Sequence, residues 1–284
     1  MKRPILVTGS YGQLGRAVIA EIERRGITAL GRDLDTLDIT DRRAVSEWIG
    51  ANRPSAVVNC AAFTAVDACE SREDEALAAN ATAVGNLARA CNRSGACLVQ
   101  ISTDYVFDGT GSRPYREDDP VAPASAYGRT KLRGEELAGD ATRHLIVRTA
   151  WLYGLGGRHF VGAIRDQIES GRTNLRVVAD QVGSPTFCDD LAAATLDLLG
   201  VEAAGIVHAV NTGATSWHGF ATEIARLRGA AVEIAPVTTD AFPRPAPRPA
   251  YSVLDTSRLE GLIGRPMPPW QDALARYLEV ACGS

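Results

Sequence analysis

Lysine is almost missing from this chain: only Lys2 and Lys131 carry an ammonium, so arginine supplies 28 of the 30 basic residues. Basic charge is not in excess either. The net charge of -4 leaves no cationic footprint for nucleic acid. Long apolar runs are absent as well. The opening MKRPILVTG is too short and wrongly flanked for a signal peptide or membrane span, so neither is expected. The cysteines (Cys60, Cys69, Cys91, Cys97, Cys188 and Cys282) form no CxxC pair and no regular framework. His144, His159, His208 and His218 lack ligand spacing beside them. Reduced, mostly buried thiols, no bound metal and a cytoplasmic location are therefore expected.

What is present is a globular composition, 45% hydrophobic and 23% charged over 284 residues, enough for a sizeable core. The first half alternates strand-like and helix-like segments. PILVTG, ITALG, SAVVNC, CLVQIST and HLIVRT read as strands. Between them QLGRAVIAEIERRG, DRRAVSEWIGAN, a long segment over residues 73–93, and SAYGRTKLRGEELAG read as helices. This alternation predicts an α/β fold, a Rossmann-like doubly wound parallel sheet. Beyond Trp151 the pattern loosens: LRVVAD and IVHAVN read as short strands, CDDLAAATLDLLG and WHGFATEIARLRG as helices, and FPRPAPRPA as an extended loop. The expected division is a nucleotide-binding domain over residues 1–150, with later segments returning to it, and a smaller, mainly substrate-binding lobe over residues 151–284. The boundary between them is not sharp.

Gly9, Gly12 and Gly15 follow the first strand and open the first helix, giving TGxxGxxG. Glycine at these positions allows a tight turn, close approach of a pyrophosphate and close packing of helix on strand. The helix N-terminus then offers free N–H groups to phosphate. At the end of the second strand, GRD supplies Arg32 and Asp33. Arginine there suits the 2′-phosphate of NADP and an acid suits the ribose hydroxyls of NAD. NADPH is the expected cofactor on the strength of Arg32, with NADH the alternative.

The rarity of lysine makes Lys131 conspicuous, because Tyr127 lies one helical turn before it. Residues i and i+4 share a helix face, so the ammonium is expected to lower the phenol pKa and to grip the cofactor ribose. A compact ammonium suits that task better than a guanidinium. Thr103 ends the strand CLVQIST, where a doubly wound sheet meets its ligand crevice. Thr103, Tyr127 and Lys131 together read as the catalytic set of a metal-free carbonyl reductase or alcohol dehydrogenase. Tyr127 delivers the proton and Thr103 hydrogen-bonds the carbonyl oxygen.

Longer stretches sharpen this. STDYVFDG (residues 102–109), YGRTKLRGEE (127–136), RTAWLYG (148–154), DQVGSPT (180–186), NTGATSWHGFA (211–221) and FPRPAPRPAYSVLDTSRL (242–259) occur in one order. Along essentially its whole length the chain resembles the dTDP-4-dehydrorhamnose reductases, an extended branch of the short-chain reductases. That resemblance implies reduction of the C4 ketone of a dTDP-4-keto-6-deoxyhexose by NAD(P)H. It places the family's Thr, Tyr and Lys on Thr103, Tyr127 and Lys131, and substrate contacts on Thr103, Asp104 and Trp151. It implies cofactor contacts at Gly12, Gln13 and Leu14, at Asp38 and Ile39, and at Ala62, Phe63 and Thr64. Asn80 reads instead as a polar helix-packing residue.

Two departures stand out. Some family members bridge a dimer through magnesium held by glutamates; here Ala17 occupies one such position and Asp189 the other. A monomer or weak homodimer is therefore expected. Phe63 stands where many relatives carry histidine. Two other functions fit the same motifs. One is a related dTDP-4-ketosugar reductase of antibiotic-sugar assembly, such as a dihydrostreptose pathway. The other is a non-catalytic NADP-binding regulatory subunit, like the methionine adenosyltransferase β subunit, which a lost Tyr, Lys or glycine loop would favour.

Overall fold

A computed structural model describes residues 3–282 of the chain. Six strands form one wholly parallel sheet: β1 (Ile5–Thr8), β2 (Ala29–Arg32), β3 (Ala56–Asn59), β4 (Cys97–Thr103), β5 (His144–Thr149) and β6 (Gly205–His208). Their spatial order is β6-β5-β4-β3-β1-β2. The chain leaves β1 toward one edge and returns at β3 on its other side, so the order reverses between β1 and β3. Ligands of such sheets bind outside the strand C-termini at that reversal. The expected Rossmann-like sheet is therefore present.

The sequence explains the elements. β1, β3 and β4 are buried throughout, as strands covered on both faces must be. Helix α1 (Gln13–Arg24) buries Leu14, Val18 and Ile22, one residue per turn along a single stripe. It packs with α5 (Cys188–Gly200) on one face of the sheet, around Val7, Val58, Val99 and Val147. Helix α2 (Arg42–Asn52) starts at Asp41, whose carboxylate accepts from the N–H groups of Arg43 and Ala44 at 2.8 and 3.0 Å. It covers the opposite face with α3 (Ala83–Ser94) and α4 (Ala126–Ala138), around Leu6, Val57, Leu98 and Ile146.

The long helix expected over residues 73–93 is divided. Glu73–Leu77 is α-helical, Ala78–Thr82 is a π-turn, and α3 follows. Gly134 of α4 packs directly against the Asn80 carbonyl in that turn, a contact that leaves no room for a side chain. Asn80 itself is buried; its Oδ1 accepts from Phe63 N–H at 2.8 Å and its amide donates to Thr130 Oγ1 at 3.1 Å. It thereby ties α4 to the segment after β3.

The looser second half contains more structure than its pattern announces. Helices Phe160–Glu169, Ser257–Ile263 and Trp270–Cys282 and the strand Glu233–Val237 had no clear signal. The reason is that their apolar residues pack on one another across long sequence separations: Tyr153, Phe187, Phe220, Trp270 and Tyr277 share one aromatic core. LRVVAD pairs in parallel with Glu233–Val237, while IVHAVN joins the main sheet as β6. The proline-rich loop is tied to Asp67 by Arg248 at 2.9 Å, and Ala246 N–H donates to the same carboxylate. It contributes nothing to the wall of the main cleft among the described residues. Cys69, Cys91, Cys97 and Cys188 are buried, Cys60 is half-buried and all five are unpaired; the Cys282 side chain lies outside the described residues. No helix among the described residues is long and apolar enough to cross a membrane.

Candidate active site

A cleft of about 810 Å³ runs along the C-terminal ends of β1 to β5, within the range of small-molecule sites. Its floor is the glycine loop. Gly9 has φ of +66°, and a Cβ there would lie 2.6 Å from Ala61 N; a Cβ on Gly15 would collide with the Gly9 carbonyl. Only glycine thus fits at positions 9 and 15. No side chain caps α1 and its first turn holds no acid, so its N-terminal donors remain available to an anion. Gln13 presents a buried Oε1 without a hydrogen-bond partner in the same cradle. These features fit a dinucleotide pyrophosphate.

Of the residues anticipated from the sequence, Gly9, Gly12, Gln13, Leu14, Gly15, Asp38, Ile39, Ala62, Phe63 and Thr64 line this cleft, as do Thr103, Asp104, Tyr127, Lys131 and Trp151. Arg32 does not. Its guanidinium donates to its own Gly31 carbonyl at 2.6 Å and stacks 4.9 Å from the Trp48 ring centre.

The polar wall begins on α4. Ser125 caps that helix through Gly128 N–H at 3.1 Å, and Glu70 accepts from Ala126 N–H at 2.8 Å, which fixes the first turn. Tyr127 therefore leaves a rigid position, edge-on to Tyr105 with ring centres 5.5 Å apart. Lys131, buried one turn later, donates to the Ile101 carbonyl of β4 at 2.6 Å. Glu135, a further turn on, forms a buried bidentate pair with Arg148 of β5 at 2.9 and 2.7 Å. That pair locks the helix carrying Tyr127 and Lys131 onto the sheet.

One electrostatic expectation is reversed. Burial raises the Tyr127 phenol above its ordinary pKa, opposed by a hydrogen bond with Thr103. The ammonium is directed at a β4 carbonyl, and burial depresses its own pKa to about 8, an effect the Glu135 carboxylate partly offsets. Tyr127 is consequently a neutral phenol at physiological pH, the form that donates a proton. Thr103 links this phenol to Asp104: its hydroxyl donates to Asp104 Oδ1 at 3.0 Å. Asp104 is buried, and burial pushes its pKa up to about 6 against the opposing hydrogen bonds of Ser252 and Thr103.

The facing wall is aromatic. Trp151 holds a left-handed backbone, φ +48°, which is costly for a bulky residue. Its indole stands directly over Gly183 of DQVGSPT; a Cβ there would come within 2.5 Å of the ring. Trp217 lies flat on it, with ring centres 3.4 Å apart and planes 4° from parallel. Trp217 Nε1 donates to Gln181 Oε1 at 3.2 Å, and the Gln181 amide donates to Thr239 Oγ1 at 3.0 Å. Trp217 lines the cleft although no role was read for it from the sequence; its only signal was membership of NTGATSWHGFA. Arg158 and Asp33 also line the cleft. Arg158 gave no signal, and Asp33 was weighed only against its neighbour.

A glycine loop at the β1/β3 reversal and a Thr–Tyr–Lys set lining the same cleft define a nicotinamide-dependent short-chain reductase of the extended kind. Comparison with known proteins agrees. Residues 1–282 match the family described as RmlD substrate binding domain. The dTDP-4-dehydrorhamnose reductase of Streptomyces griseus is 46% identical, with 98% of this chain and 94% of that protein covered. A probable dTDP-4,6-dihydroxy-2-methyloxan-3-one 4-ketoreductase of Streptomyces antibioticus is 44% identical over 95% of this chain and 92% of that protein. The crystal structure of a dTDP-4-dehydrorhamnose reductase from Bacillus anthracis in complex with NADP superposes with a TM-score of 0.95. It is 36% identical, covering 99% of this chain and all of that one. The chain belongs to the dTDP-4-dehydrorhamnose reductase family.

Proposed function

We propose that this protein reduces the C4 ketone of dTDP-4-dehydro-L-rhamnose with NAD(P)H, yielding dTDP-L-rhamnose. The observation that carries the reading is that one cleft is lined by the glycine loop, by Thr103, Tyr127 and Lys131, and by the Trp151–Trp217 stack. A bound nicotinamide supplies the hydride to the ketone carbon. As negative charge develops on the ketone oxygen, the Tyr127 O–H bond breaks and its proton passes to that oxygen, leaving phenolate. Burial favours the neutral phenol beforehand, so the acid form is present at neutral pH. Lys131, still cationic below about pH 8, is placed one turn away to stabilise the phenolate and to hold the cofactor ribose. Thr103 orients the phenol and Asp104 accepts from Thr103. The Trp151–Trp217 pair supplies the apolar wall for the sugar.

The 44% identity to the Streptomyces antibioticus ketoreductase favours a second reading, reduction of another dTDP-4-keto-deoxysugar at the same site. Purified protein supplied with NAD(P)H and either dTDP-4-dehydro-L-rhamnose or other dTDP-4-ketosugars separates the two. Preferred turnover of the first, with dTDP-L-rhamnose as product by NMR, supports the rhamnose assignment. Preferred turnover of another sugar moves the assignment there, and failure with all of them overturns both.

A further inference from the structure

Two rows of side chains cross the sheet on the face covered by α2, α3 and α4, and they differ in kind. The row of Leu6, Val57 and Leu98 is apolar and buried. Two residues further along each strand, toward the cleft, stand Thr8, Asn59 and Gln100, in register on β1, β3 and β4 and equally buried. Side chains two apart in a strand share a face, so both rows lie on the same side of the sheet. Packing alone is served by an apolar row. The polar row carries the cost of taking a hydroxyl and two amides out of water.

A directed chain of hydrogen bonds offsets that cost. Thr8 Oγ1 donates to Asn59 Oδ1 at 2.6 Å, Asn59 Nδ2 donates to Gln100 Oε1 at 2.7 Å, and Gln100 Nε2 donates to the Ile101 carbonyl at 2.7 Å. The same carbonyl accepts from Lys131 Nζ at 2.6 Å. Ile101 lies one residue beyond Asn59 and Gln100, the last pair of β3 with β4, and its strand runs on beside β5 into the cleft wall. A carbonyl oxygen offers two lone pairs. With one taken by an amide fixed from β3, the ammonium is confined to the other, and its remaining N–H groups keep one direction. An ammonium on a flexible four-carbon stem has no such direction by itself. Two other titratable groups act on Lys131: Glu135, bound bidentately by Arg148, and the Cys60 thiol after β3.

We propose that Gln100 is a positioning residue for the reduction: by sharing the Ile101 carbonyl with Lys131 it sets the direction of the ammonium, and Asn59 and Thr8 hold it to that task. The proposal rests on Lys131 serving the ketosugar reduction. Thr8 immediately precedes Gly9, so the chain of hydrogen bonds also joins the strand that carries the glycine loop to the lysine.

The test is a mutant cycle on turnover of the dTDP-4-ketosugar that the wild type reduces. Gln100→Met keeps the length of the side chain and removes its hydrogen bonds. Alone it is expected to lower kcat about tenfold, with KM for the sugar within about twofold. In a Lys131→Met background the same substitution is expected to cost less than about twofold, because its effect passes through the ammonium. Gln100→Glu covers the case of a Gln100→Met protein that does not fold, since its carboxylate still accepts from Asn59. A carboxylate beside the ammonium favours the charged form, so the alkaline fall in turnover is expected at higher pH than in the wild type. Wild-type kcat in Gln100→Met, equal losses in both backgrounds, or an alkaline fall that Gln100→Glu leaves in place overturns the proposal and leaves the reductase reading standing. A wild type that reduces no dTDP-4-ketosugar removes that reading and this proposal together.

Discussion

In the nucleotide half of the cleft the floor is built from backbone: three glycines and an uncapped helix end within one short stretch, packed on Ala61. The sugar half is built from side chains brought together across the chain. Thr103 ends β4 and Asp104 follows it, Tyr127 and Lys131 stand on α4, Trp151 follows β5, and Trp217 stacks on Trp151 while Gln181 and Thr239 hold Trp217. The first half has little freedom to change chemistry, since any Cβ on Gly9 or Gly15 collides with backbone. The second carries two unusual states, a buried carboxyl raised to about 6 and a tryptophan with positive φ. Such states persist only where the surrounding structure enforces them. On the proposed reading cofactor chemistry belongs to one half and substrate choice to the other, and each half can be broken separately.

The largest expected effect is on proton delivery. Tyr127→Phe removes the donor and is expected to lower kcat by about 10²- to 10⁴-fold while nucleotide affinity holds, measured by steady-state turnover beside calorimetry. Next comes the nucleotide half. Gly9→Val introduces a side chain where φ is +66° and Ala61 N lies 2.6 Å from the Cβ position. Loss of nucleotide binding is expected, with a backbone cost of about 1–3 kcal/mol in stability by thermal unfolding.

Asp104 yields opposite signs for stability and activity. Its folded pKa is about 6 against an ordinary 3.8. Between these values the folded protein holds a proton that the unfolded chain has released, so stability falls as pH rises through that window. Above it, the ionised buried carboxylate remains a full penalty. Asp104→Asn is therefore expected to raise stability at neutral pH by an amount on the order of 1–3 kcal/mol, to have no such effect below the window, and to lower kcat. Unfolding curves at the two pH values check the sign.

Smaller effects are expected from the aromatic wall. Trp217→Leu removes the plane that holds Trp151; KM for the sugar should rise several-fold with nucleotide affinity unchanged, and Trp217→Phe should restore most of the loss. The smallest concerns pH. Lys131 loses its proton at about pH 8 instead of 10.5, so turnover should fall as pH rises through that value. A pH profile that stays flat well above it would remove Lys131's charge from the account.

These differences also explain what could be read from the sequence. The glycine loop, Tyr127 and Lys131 follow local rules, a turn needing glycine and a helix repeating every four residues, so short windows reveal them. Thr103 was visible because the strand-like CLVQIST is largely apolar and has a clear end. Trp217 was not visible, since its place depends on stacking with Trp151, tens of positions away. Arg32 was misread for a related reason. Sequence supplied the charge at the strand end but not Trp48, whose ring takes that charge away from the cleft. The π-turn at Ala78–Thr82 escaped because it arises from the close approach of Gly134, not from any local signal.

The most direct test of the account follows the two transferred hydrogens. Dinucleotide carrying deuterium at the hydride position is supplied with dTDP-4-dehydro-L-rhamnose to the wild type and to Tyr127→Phe. The account predicts deuterium on C4 of dTDP-L-rhamnose with the wild type, and almost no labelled product from a variant that still binds the dinucleotide. Product without deuterium at C4, or full labelling without the Tyr127 hydroxyl, would contradict it.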